Sequence, residues 1–420
     1  MSKIQRLKGT FDILPEDIAL WQYIEKTVRE EARKSGFSEI RTPTIEATEL
    51  FCRGVGDTTD VVGKEMYTFT DKDGSSLSLR PEGTAGVARA VIENGLYAGA
   101  MPLKLYYLSN FFRHEKPQAG RSREFWQFGT ELYGSSLPEA DAQVIMLAAG
   151  VFKKLGVKNV TLRINSIGCP DCRPEYRNSL LDYFKNYESE LCDTCKERLN
   201  KNPLRVLDCK SPICSGIAKN APKTLDHLCE KCESHFEKLK KILDSCGIKY
   251  VVDPSIVRGL DYYTGTVFEF TVDTIGAQST VCGGGRYDGL LSSIGGQDLP
   301  AVGFGMGITR LIQAMKDEDV IPEFELGADI YIAPLGENVG EKTFALAEEL
   351  REKGIAAETD LCSRSLKAQM KYADKKRARF VLVVGEEELA SGEAELKNML
   401  EGGSLKVDLS ADAIINAIKR

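Results

Sequence analysis

The pattern of apolar and polar residues changes character twice along the chain, and each change marks a different kind of structure. From Pro15 to Lys34, Ile18, Trp21, Ile24, Val28 and Ala32 recur at helical spacing, with Pro15 suited to a first turn and Gly36 to a stop. The run FSEIRTP, from Phe37, reads as a strand. Pro43 has no N–H for a ladder and so belongs at its edge or end. Residues 63–70 and 75–80 flank DKDG and read as a hairpin. Two long strands, KLYYLSNFFR (104–113) and EFWQFGTELYG (124–134), bracket a polar loop from His114 to Arg123, a natural place for function.

Residues 172–245 break this pattern. They are rich in Cys, Lys, Glu, Asn and Leu, carry prolines at 174, 203, 212 and 222, and read as a helical insertion. Strand patterns resume at IKYVVD (248–253), TVFEFTV (266–272) and QSTVCGGG (278–285). AVGFGMGITRLIQAM (301–315) passes from glycine-rich strand to helix. After an expected linker at 322–327, strand and helix alternate: ADIYIAP, a helix over Val339–Lys353, IAAE, a helix over Ser365–Lys376, then RFVLVVG. Such alternation predicts a separate α/β domain with a largely parallel sheet. The expected domains are therefore 1–171 with 246–322, interrupted by 172–245 and followed by 327–420.

A chain of 420 residues is too long for one core, which agrees with that division. Hydrophobic content of 42% and charged content of 28% are those of a soluble globular protein. No apolar run reaches the ~18 residues of a membrane span. The N-terminus lacks an apolar signal core, so a cytoplasmic location without membrane contact is expected. A net charge of −7 speaks against indiscriminate coating of nucleic acid but leaves room for a local basic surface. Lys375, Lys376, Arg377 and Arg379 form one basic run, readable either as the solvated end of a helix or as a phosphate contact.

Eight of the twelve cysteines lie between residues 169 and 232. In a reducing compartment such clustering points to metal or free thiols. Cys192-x2-Cys195 and Cys229-x2-Cys232 are knuckle-like pairs expected to complete one structural tetrathiolate zinc site. Cys209-x4-Cys214 and Cys169-x2-Cys172 are the alternates.

Two polar-aromatic strings carry the chemistry: RGLDYY at 258–263, and FFRHEKPQAGRSREFWQFGTE at 111–131. Together they suggest a pocket that holds an anion through arginines and a heterocycle through carboxylate and phenol; a set of buried salt bridges is the alternative. CGGGRYDG (282–289) lacks the Lys-Ser/Thr of a P-loop and is expected to let the backbone approach a substrate closely.

GFSEIRTPTI (from Gly36), FFRHE (from Phe111) and GFGMGITRL (from Gly303) resemble the three signature motifs of class II aminoacyl-tRNA synthetases. RPEGTA (80–85), RGLDYY and GGGRYD (283–288) are similar to strings of the histidyl-tRNA synthetase family. The resemblance implies an α+β catalytic domain on an antiparallel sheet, a helical Cys-rich insertion and a C-terminal α/β anticodon-binding domain. It implies ATP-dependent ligation of L-histidine to tRNA(His) through a histidyl-adenylate, with Mg2+, AMP and pyrophosphate, by a homodimer formed through the Pro43 segment. By motif match, Arg258 and Arg113 are catalytic, and Arg113, Arg121 and Arg310 hold the phosphates of ATP. Glu82, Gly83, Thr84 and Gln127 surround the histidine ammonium. Glu131, Tyr262 and Tyr263 surround its imidazole, with Arg258 at its carboxylate. Lys116 and Gln118 face the tRNA acceptor end, and the Lys375–Arg379 run belongs to the anticodon-binding domain. A regulatory or RNA-sensing paralogue on the same fold is the competing reading, but such a chain is expected to lose some of these arginines, which are all present here.

Overall fold

The computed structural model describes residues 3–419 apart from 57–58, 118–119, 202, 208, 210, 257–259, 274–278 and 325–326. The chain forms two compact units, Met1–Ile321 and Pro322–Arg420.

The first unit opens with α1 (Pro15–Lys34), which begins at the proline and carries Glu16 and Asp17 in its first turn and Arg33 and Lys34 in its last. These charges complement the helix dipole. Leu20, Trp21, Ile24, Val28 and Ala32 are buried, while Ile18 stays at the exposed rim of the same face. The predicted strand after it is short. Only β1 (Ser38–Glu39) pairs, at a sheet edge, before the chain reaches Pro43. β2 (Ile45–Ala47), α2 (Thr48–Phe51), β3 (Thr68–Thr70) and β4 (Ser76–Leu79) follow. The expected hairpin is β3–β4, with β2 added to it, and its first strand starts late because Val61–Glu65 coils into a helical turn. α3 (Thr84–Glu93) then leads to the long strands β5 (Leu103–Phe112) and β6 (Glu124–Tyr133).

α4 (Pro138–Lys154) and β7 (Val160–Ser166) precede the insertion. Its helices are α5 (Arg173–Lys185), α6 (Asp193–Lys201), α7 (Pro212–Ala218) and α8 (Glu230–Ser245). Tyr176, Leu180, Phe184, Leu199 and Val206 give the insertion a small hydrophobic core of its own. The chain returns through β8 (Val251–Val252), β9 (Thr264–Val272), β10 (Thr280–Arg286), α9 (Leu290–Ser293), β11 (Ala301–Gly307) and α10 (Ile308–Asp317). Eight strands join in the order β1-β5-β6-β11-β10-β9-β7-β8, antiparallel except at the edge pairs β1–β5 and β7–β8. The middle of this sheet carries the site.

The second unit contains β12 (Ile330–Pro334), α11 (Gly340–Glu352), β13 (Ala357–Thr359), α12 (Leu366–Lys375) and β14 (Phe380–Val384). It ends with α13 (Glu386–Ser391), β15 (Glu393–Asn398), β16 (Ser404–Asp408) and α14 (Ala411–Ile418). The sheet order is β13-β12-β14-β15-β16. Its first three strands are parallel, as the alternation predicts, and the last two antiparallel.

Candidate active site

Three alternate residues of β6, Gln127, Gly129 and Glu131, share one face of the sheet. Opposite them on β11 stand Gly307, Gly305 and Gly303. This row of glycines leaves the space above the sheet free. A Cβ at Gly303 would collide with the Glu131 carboxylate, and one at Gly129 or Gly83 would overlap the Tyr107 ring. Tyr107, on β5 directly opposite Gly129, thus lies between two glycines.

Glu131 is fully buried. Its carboxylate accepts from the Thr84 hydroxyl at 2.8 Å and, on the other oxygen, from the Tyr287 phenol. Burial, only partly offset by these bonds, pushes the Glu131 carboxyl up to about 8. Glu82, also buried, accepts from the backbone N–H groups of Thr84 and Ala85 at 2.8 Å each. It caps the N-terminus of α3, where negative charge is favoured. Burial nevertheless raises its pKa as well. The Tyr262 and Tyr263 rings lie 4.7 Å apart, and Tyr262 also touches Tyr287 at 5.6 Å between centroids. Glu82, Gly83, Thr84, Glu131, Tyr262 and Tyr263 are therefore brought into one neighbourhood from three separated stretches of chain. Burial, with Glu131 next, holds the Tyr107 phenol well above its ordinary range, so it stays protonated and available as a donor.

Beside this pocket lies a cleft of about 400 Å³ lined by Arg113, Arg121, Arg310, Gln127, Glu115 and Glu269, among others. Arg113 extends over the Phe125 ring and donates to the Pro81 carbonyl at 2.8 Å. Arg121 pairs with Glu115 at 2.9 Å. Arg310, on the first turns of α10, donates to the carbonyls of Gly120 and Thr280 at 3.1 and 2.5 Å. Burial first, and the nearby Arg121 second, lower its pKa. Three guanidiniums converging on one half-buried cleft are arranged for an anion with several charges.

Sequence reasoning did not assign Tyr107, Tyr287, Glu115 or Glu269. Neither Tyr107 nor Glu269 was findable from spacing: the two glycines that flank the Tyr107 ring, Gly129 on β6 and Gly83 before α3, are distant in sequence, and only the three-dimensional register brings β9 to the cleft.

Other expected residues fall differently. Arg258 and Gln118 lie outside the described residues. Lys116, Lys375, Lys376 and Arg377 are exposed, while Arg379 is half-buried and paired with Asp329 at 3.3 Å. The glycines of GGGRYD divide their duties. Gly283 lines the cleft, but a Cβ at Gly284 or Gly285 would strike neighbouring strand backbone, so those two serve sheet packing. Arg286 turns away into a buried ion pair with Asp141 at 2.6 Å, and Asp141 also meets His235 of α8 at 3.2 Å.

The expected zinc set requires correction. Cys192 and Cys195 do not meet Cys229 and Cys232. Instead Cys169, Cys172, Cys229 and Cys232 converge, and separately Cys192, Cys195, Cys209 and Cys214, each foursome with its sulfurs within 4.8 Å of one another. The physical reason is topological. Cys172 and Cys229 stand at the two ends of the insertion, which lie together on the sheet, whereas Cys195 and Cys214 are buried in the core of the insertion itself.

Residues 9–311 match the histidyl-tRNA synthetase family, and residues 329–420 match the anticodon binding domain family. The chain belongs to the histidyl-tRNA synthetase family. It is 52% identical over 413 residues to the histidine--tRNA ligase of Caldanaerobacter subterraneus subsp. tengcongensis, covering 98% of each chain. It is 53% identical over 413 residues, again 98% of each, to the histidine--tRNA ligase of Thermoanaerobacter pseudethanolicus. The crystal structure of apo S. aureus histidyl-tRNA synthetase superposes with a TM-score of 0.85 at 37% identity, with both chains fully covered. The class II catalytic fold and the C-terminal anticodon-binding domain of the sequence reading are thus established.

Proposed function

We infer that this chain is a histidine--tRNA ligase that activates histidine in the β6–β11 pocket and then transfers it to tRNA(His). The observation that carries this reading is adjacency: the arginine-lined cleft opens beside the buried Glu131–Thr84–Tyr287 cluster, and Gln127 lines the side they share.

In the first step a carboxylate oxygen of histidine attacks the α-phosphorus of ATP. The bond to the bridging oxygen breaks and pyrophosphate leaves. Charge accumulates on phosphoryl oxygens, and preorganised cations lower that barrier. Arg113 holds the α-phosphate; Arg310 and Arg121 hold the distal phosphates. Arg258 is assigned to the substrate carboxylate and α-phosphate by the motif match alone. Glu115 and Glu269, carboxylates lining the cleft, would hold a Mg2+ carried by the triphosphate, since hard oxygen donors suit that ion.

The amino acid is selected by Glu82, Thr84 and Gln127 around its ammonium and by Glu131, Tyr262 and Tyr263 around its imidazole. A substrate without ring nitrogens would leave the remaining hydrogen-bonding capacity of this buried polar wall unmet, which discriminates by about 10⁴-fold or more. In the second step a ribose hydroxyl of tRNA attacks the carbonyl carbon and AMP leaves. Lys116 and Gln118 meet the acceptor end, and the second unit binds the anticodon through Lys375, Lys376 and Arg377. Arg379, already paired with Asp329, contributes less.

A homodimer through the Pro43 segment fits the half-exposed Ile45 and Phe69 on the β2–β4–β3 sheet. No helix among the described residues is long and apolar enough to cross a membrane; the place of action is the cytoplasm, where tRNA is charged. Pyrophosphate exchange with each of twenty amino acids tests the reading. Exchange with histidine alone, followed by charging of tRNA(His), is expected; exchange with another amino acid, or none, overturns it.

A further inference from the structure

We propose that the eight clustered cysteines hold two separate structural zinc ions, and that each site fixes an arginine of the insertion on the Asp261–Tyr263 segment of the histidine pocket.

The sulfur geometry is that of metal coordination. Cys169 Sγ lies 3.5 Å from Cys172 Sγ and 3.9 Å from Cys229 Sγ, and Cys192 Sγ lies 3.9 Å from Cys209 Sγ. A zinc–sulfur distance of ~2.3 Å gives a tetrahedron with edges of ~3.8 Å. A disulfide would bring two sulfurs to about 2.05 Å and leave the other two out. Each foursome also receives a backbone donor: the Cys229 N–H points to Cys172 Sγ at 3.1 Å and the Cys192 N–H to Cys214 Sγ at 3.3 Å. Amide donors of this kind stabilise a metal-bound thiolate. Four thiolates select a soft or borderline ion such as zinc over magnesium or calcium and leave no position for substrate, so both sites are structural.

The two sites act at different places in the chain. Cys172 caps α5 and Cys229 caps α8, so the first site clamps the two ends of the insertion where it departs from and rejoins the catalytic sheet. The second draws α6 and α7 together inside an insertion whose apolar core is small, where a metal contributes folding energy directly.

Both sites lead to one segment. Arg173, the residue after Cys172, donates to the Tyr263 carbonyl. Arg205, four residues before Cys209, pairs with Asp261 at 2.9 Å. Asp261 and Tyr263 flank Tyr262, so the insertion grips the aromatic wall of the pocket at two points. Arg173 and Arg205 are positioning residues. This part of the proposal rests on the reading of that wall as the histidine site; the metal content does not.

The test uses the full chain, purified without chelator. Elemental analysis should give two zinc ions per chain, both released when a mercurial titrates the thiols. Cobalt-substituted protein should show the absorption of two tetrahedral tetrathiolate centres. Cys169→Ser/Cys172→Ser and Cys192→Ser/Cys195→Ser should each retain one ion. Zero or one zinc in folded wild-type protein overturns the two sites, as does a cobalt spectrum without sulfur-to-metal charge transfer; neither readout requires a variant to fold. Arg173→Ala and Arg205→Ala, at full zinc content, should raise the KM for histidine about tenfold and leave the KM for ATP within about twofold. Equal shifts for both substrates, or none, overturn the grip while leaving the metal count standing.

Discussion

The Thr84 hydroxyl donates to Glu131 Oε1 at 2.8 Å, tying the first residue of α3 to the C-terminal end of β6. The bond crosses the pocket floor and is fully buried. Thr84→Val keeps the shape and removes the donor. Leaving a buried acceptor short of a partner costs about 1–3 kcal/mol. Histidine use should suffer more than ATP use, and Thr84→Ser should restore much of it. Steady-state pyrophosphate exchange checks this; a valine variant with unchanged KM for histidine would remove Thr84 from the recognition network.

Glu131 makes the site sensitive to pH. Its carboxyl, ordinarily near 4.5, is pushed up to about 8 by burial. The folded chain therefore holds this proton more tightly than the unfolded chain. The resulting stability is complete below the ordinary value and is lost as pH rises towards the folded value. Glu131→Gln cannot ionise, so ligand-free variant protein should lose less stability than wild type between about pH 5 and 8. Thermal unfolding across that range reads the difference, and parallel curves would mean that Glu131 titrates outside it. The same variant should weaken histidine binding more than ATP binding.

Gly129 and Gly83 leave room for the Tyr107 ring, and neither has an unusual backbone angle that would by itself demand glycine. Gly129→Ala should thus destabilise by overpacking, about 1–3 kcal/mol. In a Tyr107→Leu background the penalty should shrink below about 1 kcal/mol, because the flat ring that meets the new methyl is gone. Urea unfolding of the four proteins of this cycle decides it. Additive penalties would show that the glycine answers to something other than Tyr107.

Much of this was readable from the chain alone. α1 announces itself by spacing and by Pro15, and the long strands β5 and β6 by sustained apolar content. The site residues were reached by motif, and Glu82, Thr84, Gln127 and Glu131 do converge. β15 escaped because its outward residues are Glu393, Glu395 and Lys397; only Ala394 and Leu396 face the core, so the strand reads as a charged segment. The cysteine pairing escaped for a different reason. Spacing identifies knuckles but not which knuckles meet, and that depends on where the insertion's two ends lie on the sheet.

Residues 322–420 carry their own sheet and core, with Ile330, Ile332, Leu382 and Leu396 fully buried within it. None of the residues assigned to adenylate chemistry lies there. A chain ending at Ile321 should retain pyrophosphate exchange within about tenfold of wild type and lose most charging of tRNA(His). Circular dichroism must show the shortened chain folded. Charging at the full rate would end the division of labour between the two units.

The buried pair of Asp141 and Arg286 sets the last expectation. Arg286 donates to both Asp141 oxygens, at 2.6 to 3.1 Å, and His235 approaches one of them. Burial alone would raise the Asp141 pKa; the His235 hydrogen bond and the Arg286 charge outweigh it and hold the carboxyl below its usual 3.8. A depressed carboxylate contributes stability that is present above its unfolded value and disappears as pH falls through the folded one. Asp141→Asn leaves the buried Arg286 guanidinium with only the half-exposed Asp288, at 3.4 Å, as counter-charge, and breaking such a pair from one side costs about 3–5 kcal/mol. The gap between wild type and variant should therefore be full at pH 7, narrow below about pH 4, where Asp141 of the unfolded chain takes up a proton, and close only as the folded carboxyl does so at lower pH. Replacing both partners with apolar residues of similar volume should recover part of the loss, since the desolvation cost of both charges goes with them. Urea denaturation at pH 7 measures the first quantity. A single-variant penalty under about 1 kcal/mol would mean that water or a neighbouring group already neutralises Arg286, and that the pair does not lock α4 to the end of β10.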